Sequence, residues 1–349
     1  MSGIVGHTLF GILGLKAAIA RKLPAAAIPA QHQASYLAGA YLGSDIQTMP
    51  EAVCVESGRE IGYGTVPLEK SPITGGPVRP WSLTVAGRDY RPREIHELFY
   101  GRSHVVFGWQ RQQRELAVPW DHLPDYFAAV VEDTYEHFGP ASRPLAYVLG
   151  WMVHVVSDSL IKSVQPGIDL DLLDGKYTPR NRPIQDLFMY HEIGVKEFHL
   201  NWPALLADLV ETPVEAVQFH YMRIAEPRGK LGRYFPHEWR ADQRELLSAV
   251  LAENRRWCRF HSQDVLRDMQ LLANTDGTLE CNDVFRQLTG LTYSQMVELA
   301  QQAKLRRACW QMGEAVADMF AATVARSPRL GAEHADTPNW EEIAKDWKR

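Results

Sequence analysis

The sequence predicts an all-α protein: a multi-helix bundle with one irregular excursion, carrying a β-hairpin, at about 51–93. Three observations carry this expectation. Apolar residues recur at helical spacing through most of the 349 residues. One segment, Ala141 to Val164, is apolar on nearly every face, as a helix at the centre of a bundle must be. Gly, Pro and Thr concentrate between Glu51 and Arg93, where short β-branched pieces such as Ser82-Leu83-Thr84-Val85 interrupt the helical texture.

In chain order, the first helix is expected from about Ile4 to Arg21, and Pro24 separates it from a second over Ala25 to Tyr41. Gly43 fits the left-handed position that closes that second helix. After the excursion, helices are expected over Pro92 to Leu116 and Asp121 to Phe138, the latter stopped by Gly139-Pro140. The central helix follows, then a Gly/Asp/Pro-rich loop from Gln165 to Arg182. Further helices are expected over Pro183–Leu200, Pro203–Leu209, Val214–Ala225, His237–Asn274, Leu279–Leu288 and Ser294–Ala325. The organisation this suggests is a helical core over 1–200, an additional helical region over 201–330 and a polar tail over 331–349.

Composition narrows the function classes. The formal net charge is −5 and no dense Lys/Arg stripe occurs, so no nucleic-acid partner is expected. The cysteines Cys54, Cys258, Cys281 and Cys309 lie far apart without a C-x-x-C pair, which reads as scattered thiols. Ile4 to Ala20 is apolar, but no Lys or Arg precedes it, the wrong polarity for a signal peptide. It is also interrupted by His7 and Lys16 and too short to span a bilayer. A first helix packed into the domain, in a cytoplasmic rather than secreted protein, is therefore expected. No Walker loop, G-x-S-x-G elbow or H-E-x-x-H motif is present.

The chemistry-bearing residues centre on Gly150-Trp-Met-Val-His154-Val-Val-Ser-Asp158, inside the apolar central helix. His154 and Asp158 are four residues apart and share one helix face. A carboxylate in such a segment costs several kcal/mol unless paired or ligated, and a dication satisfies it and the imidazole together. A His–Asp hydrogen bond in the core is the alternative. His7 lies on the apolar first helix, and His104 opens the apolar run Ser103-His104-Val-Val-Phe. Asp45 sits amid apolar residues after the second helix, as a ligand or as a helix cap. His191 has carboxylates nearby at Asp186, Glu192 and Glu197.

This ordered set resembles the zinc-dependent phospholipase C family, which shares its helical fold with the S1/P1-type nucleases; the resemblance covers about residues 1–200. It implies a bundle of the phospholipase C/P1 nuclease type. It also implies one to three zinc ions, two being favoured, and phosphodiester hydrolysis by a zinc-bound hydroxide. Carried across, Asp45, His104, His154 and Asp158 surround one zinc. His7 holds a second, sharing Asp158, and His191 belongs to a third with Glu192 or Glu197. Asp45 is the implied general base. The family's N-terminal Trp ligand has no counterpart here, where Met1 begins the chain; Ser159-Leu-Ile-Lys162 holds none of the family's next histidine; and Val195 stands where a carboxylate is usual. The expected partner is a small-molecule or lipid phosphoester, the latter at a membrane surface, its choice governed by the 51–93 and 165–182 segments. Arg180 and Arg182 in the second of these are candidates to pair with its phosphate, against the more ordinary reading of solvated loop arginines. Two other outcomes stay open: a single-strand nuclease, and a helical protein whose degenerate metal site serves binding or a different chemistry.

Overall fold

The computed structural model describes residues 3–42, 49–62, 70–71, 75–104, 106–107, 115–116, 118–140, 142–161, 182–224, 241–327 and 329–330. Helices dominate them, with only small sheets, which is the all-α class expected. The helices are α1 (Ile4–Ala20), α2 (Ala27–Gln31), α3 (Gln33–Tyr41), α4 (Pro92–His104), α5 (Leu123–Phe138), α6 (Ser142–Ile161) and α7 (Arg182–Phe188), which runs on into a π-helical turn, Met189–Val195. They continue with α8 (Trp202–Glu211), α9 (Glu215–Ile224), α10 (Ala241–Asp268), α11 (Asp283–Thr289), α12 (Tyr293–Gln302) and α13 (Leu305–Val324). The chain forms two compact units, each discontinuous in sequence and assembled from segments on both sides of residue 200.

The first unit comprises Met1–Tyr41, Trp120–Thr212 and Ser262–Arg349. Every residue of α1 except Lys16 and Ala20 is buried, because its neighbours close on it from several sides. Small residues set how near those neighbours come. A Cβ on Gly14 would meet the Val316 side chain at 2.4 Å, and one on Gly313 would meet Leu13 at 2.9 Å, so α1 and α13 touch almost backbone to backbone. The α3–α6 crossing is tighter still. A Cβ on Gly39 would lie 2.0 Å from the Tyr147 carbonyl oxygen, and one on Gly150 would lie 1.8 Å from that of Tyr36. Tyr36 also donates its hydroxyl hydrogen to the Gly11 carbonyl at 2.9 Å, tying α3 to α1.

Several boundaries differ from the expectation, each for a local reason. The helix expected over Ala25 to Tyr41 is interrupted at His32, whose φ of −126° and ψ of 51° leave the helical region. The long helix expected to Asn274 stops at Asp268, and a hairpin follows, pairing β8 (Leu271–Ala273) with β9 (Leu279–Cys281). Asp276 holds its turn by accepting from the Thr278 amide at 2.9 Å. The helix expected over Ser294 to Ala325 is two helices, parted by Lys304 in the left-handed conformation at φ 54°. Thr292 and Gln295 form a capping box at the start of α12.

The second unit comprises Leu42–Pro119 and Pro213–His261. Its antiparallel sheet has β1 (Pro50–Cys54) between β2 (Glu60–Gly62) and β3 (Val78–Pro80). A separate hairpin pairs β4 (Leu83–Val85) with β5 (Arg88–Tyr90) through Ala86 and Gly87, both at positive φ, as a tight primed turn requires. The excursion thus holds more strand than a single hairpin. The helix expected over Pro92 to Leu116 ends at His104, and β6 (Val106–Phe107) then pairs with β7 (Glu115–Leu116). Arg256 on α10 bonds Glu60 at 2.7 Å, and Arg255 bonds Glu215 at 2.7 Å, joining α10 to the sheet and to α9. The four cysteines are free thiols and all are buried. Among the described residues, no helix is long and apolar enough to cross a membrane.

Candidate metal centre

The first turn of α1 and the last turn of α6 meet at one end of the first unit, and the last turn of α3 lies beside them. Three expected ligands come together there. The His7 Nε2 atom stands 3.5 Å from Asp158 Oδ1, and His154 Nε2 stands 3.6 Å from Asp158 Oδ2. The two imidazole rings stack at 4.0 Å between centroids, 17° from parallel. Both histidines are fully buried and Asp158 is 3% exposed. One ligand atom from each residue lies within 4.8 Å of the others, so the group could hold a metal ion.

Backbone and hydroxyl groups decide which ring atoms face inward. His154 Nδ1 is 2.9 Å from the Ala40 carbonyl oxygen. A carbonyl only accepts, so Nδ1 carries a proton and Nε2 is the ring nitrogen directed at Asp158. The α3–α6 crossing through Gly39 and Gly150 brings that carbonyl within reach. Ser157 donates its hydroxyl hydrogen to the His154 carbonyl at 3.2 Å. Its oxygen therefore accepts from His7 Nδ1, also at 3.2 Å, and leaves His7 Nε2 as the ring nitrogen directed inward. Metal-binding histidines are commonly oriented in this way, by a hydrogen bond from the other ring nitrogen.

The separations fit a shared ion. Two ligand atoms each about 2.0–2.1 Å from zinc, at a tetrahedral angle, stand roughly 3.4 Å apart. A hydrogen bond between the same atoms would be nearer about 2.9 Å. Two imidazole nitrogens and one carboxylate make a donor set suited to zinc, manganese or iron(II). Three protein donors leave a fourth tetrahedral position for water or a substrate oxygen.

The other expected ligands are not part of this group. His191 lies on the π-helical turn and donates from Nε2 to the Met269 carbonyl at 2.6 Å. Burial holds its pKa below the ordinary value. Glu192 accepts from Lys196 at 2.5 Å and from the Tyr293 hydroxyl. Burial opposes its ionisation, yet the bonds from Lys196 and Tyr293 prevail and hold its carboxyl below the ordinary range. Glu197 pairs with Arg306, and Asp186 is buried on α7. Val195, in the place of the missing carboxylate, is 37% exposed. His104 belongs to the second unit, where its Nδ1 lies 2.8 Å from Ser103 Oγ. Gly43, Asp45, Arg180, most of the 165–182 loop and the tail lie outside the described residues, as does the Arg182 side chain.

Sequence reasoning missed the Ala40 carbonyl and Ser157. Ser157 is fully buried beside a carboxylate in an apolar helix, a signal that could have marked it. No family model matches this chain, and no curated protein or solved structure matches it.

Proposed function

We propose that the protein is a metal-dependent hydrolase of phosphoric esters, acting on a phosphodiester with one zinc ion held by His7, His154 and Asp158. The observation that supports this most is the convergence of two imidazole Nε2 atoms on one buried carboxylate. Two imidazole nitrogens and a carboxylate oxygen are ligands that a single dication takes up together. When bound, zinc supplies Lewis acidity, polarising a phosphoryl oxygen and lowering the pKa of a coordinated water towards about 7. His7 and His154 hold the ion through neutral nitrogens, and Asp158 removes one of its charges. The net positive charge left suits an anionic phosphodiester. Asp45 remains the proposed general base, on the resemblance alone.

A second reading is favoured by the burial of all three ligands: an ion that fastens α1 to α6 in a protein serving binding. Two measurements separate the readings. Metal content per chain is determined by plasma mass spectrometry on protein purified without chelator, for wild type, His154→Ala and Asp158→Ala. Hydrolysis of bis-p-nitrophenyl phosphate is assayed on the same samples. Zinc in wild type, lost with activity in both variants, supports the hydrolase. Zinc without diester cleavage supports the fastening role, and a metal-free wild type defeats both.

A further inference from the structure

Ser157 lies inside the motif but supplies no ligand, and its bonds on α6 point to a definite task. Its hydroxyl has one hydrogen, which goes to the His154 carbonyl at 3.2 Å, within its own helix. Its oxygen is thereby turned to His7 Nδ1, 150 residues away on α1, also at 3.2 Å. The serine is 0% exposed, so water does not compete for either bond. His154 receives the equivalent service from the Ala40 backbone carbonyl, which a change of the Ala40 side chain does not delete. His7 depends on a side chain. An imidazole turned over about its Cβ–Cγ bond would present a carbon to Asp158 in place of Nε2, and ring stacking on His154 at 4.0 Å is compatible with either orientation.

We propose that Ser157 is a positioning residue: it fixes the tautomer and ring orientation of His7 so that Nε2 faces the metal. This rests on the metal-site reading above. Outer partners of ligating histidines typically govern about 10- to 100-fold in metal affinity.

The test is zinc affinity by competition with a chromophoric chelator, on wild type, Ser157→Ala and Ser159→Ala. The last removes a similarly buried hydroxyl, 3% exposed, two residues along the same helix. Visible spectra of the cobalt-loaded proteins report the ligand field, and thermal melts of the metal-free proteins report packing. The expected result is a loss of about 10- to 100-fold in affinity for Ser157→Ala, with a shifted cobalt spectrum. Ser159→Ala keeps wild-type affinity and spectrum. Wild-type affinity in Ser157→Ala overturns the proposal, as does an equal loss in Ser159→Ala. If Ser157→Ala does not fold, Ser157→Cys carries the same test, since it keeps the volume and offers only a weak sulfur acceptor. A wild type that binds no zinc overturns the metal reading itself, and is distinguished from failure of the Ser157 proposal by that one sample.

Discussion

Two clusters in the first unit draw on the same residue types and differ in what their polar atoms face. At the start of α1 and end of α6, the outer nitrogens of His7 and His154 are engaged by Ser157 and Ala40, so both inner nitrogens face the Asp158 carboxylate. On the π-helical turn, the His191 Nε2–H is directed to the Met269 carbonyl, and Glu192 accepts from Lys196 and Tyr293. In the first, one ligand atom from each of three residues lies close enough to share a metal ion; in the second, donors and acceptors are matched. The first could hold a cation, which would have to displace the named bonds in the second. The difference teaches that histidine and carboxylate spacing alone does not make a metal site; the partner of the other ring nitrogen decides.

The comparison can be broken most severely at the helix crossing. Gly150→Val forces a side chain into the space 1.8 Å from the Tyr36 carbonyl oxygen. A loss of about 3 kcal/mol is expected in urea unfolding, along with zinc binding, because the Ala40 carbonyl moves away from His154. Next comes Asp158→Asn. Free zinc at a hundred times its dissociation constant should stabilise wild type by about 2.7 kcal/mol, and the variant not at all.

The smallest effect is expected at the second cluster. Glu192→Gln should leave zinc content at the wild-type level and cost on the order of 1.5 kcal/mol, the worth of hydrogen bonds to a charged group. Its pH dependence has a definite sign. The folded pKa of Glu192 lies below its ordinary 4.5, so its contribution is present above that pH and is lost as pH falls towards the folded value. His191 acts in the same direction below its ordinary 6.5, because the unfolded chain takes up a proton that the buried ring resists. Glu192→Gln should therefore flatten the stability profile below pH 4.5 and leave the limb just below pH 6.5 in place, as measured by thermal melts across pH. Loss of zinc in this variant would erase the distinction between the clusters.

Much of the candidate centre was legible in the sequence. His154 and Asp158 stand four residues apart on an apolar helix, and that pattern alone predicts a shared face. The pairing with His7 came from the resemblance rather than from periodicity, since nothing local joins residues 150 positions apart. The Ala40 carbonyl was not legible, because a backbone atom leaves no mark on composition. What exposes it is the Gly39–Gly150 approach, and a glycine in a helix pattern has several readings. The break at Lys304 escaped for the opposite reason: lysine is an ordinary helix former, and nothing in its side chain announces a φ of 54°. The β8–β9 hairpin escaped because three-residue strands are too short for alternation to stand out from helical spacing.

The burial of α1 against α13 has a consequence for how the chain is made. About 285 residues separate Ala20 from Leu305. At a synthesis rate of about 5–20 residues per second, the apolar first helix leaves the ribosome roughly 15–60 s before its closest partner exists. For that interval Leu13 and Gly14 have no helix α13 to cover them, and the nascent chain presents the kind of apolar segment that holdase chaperones bind.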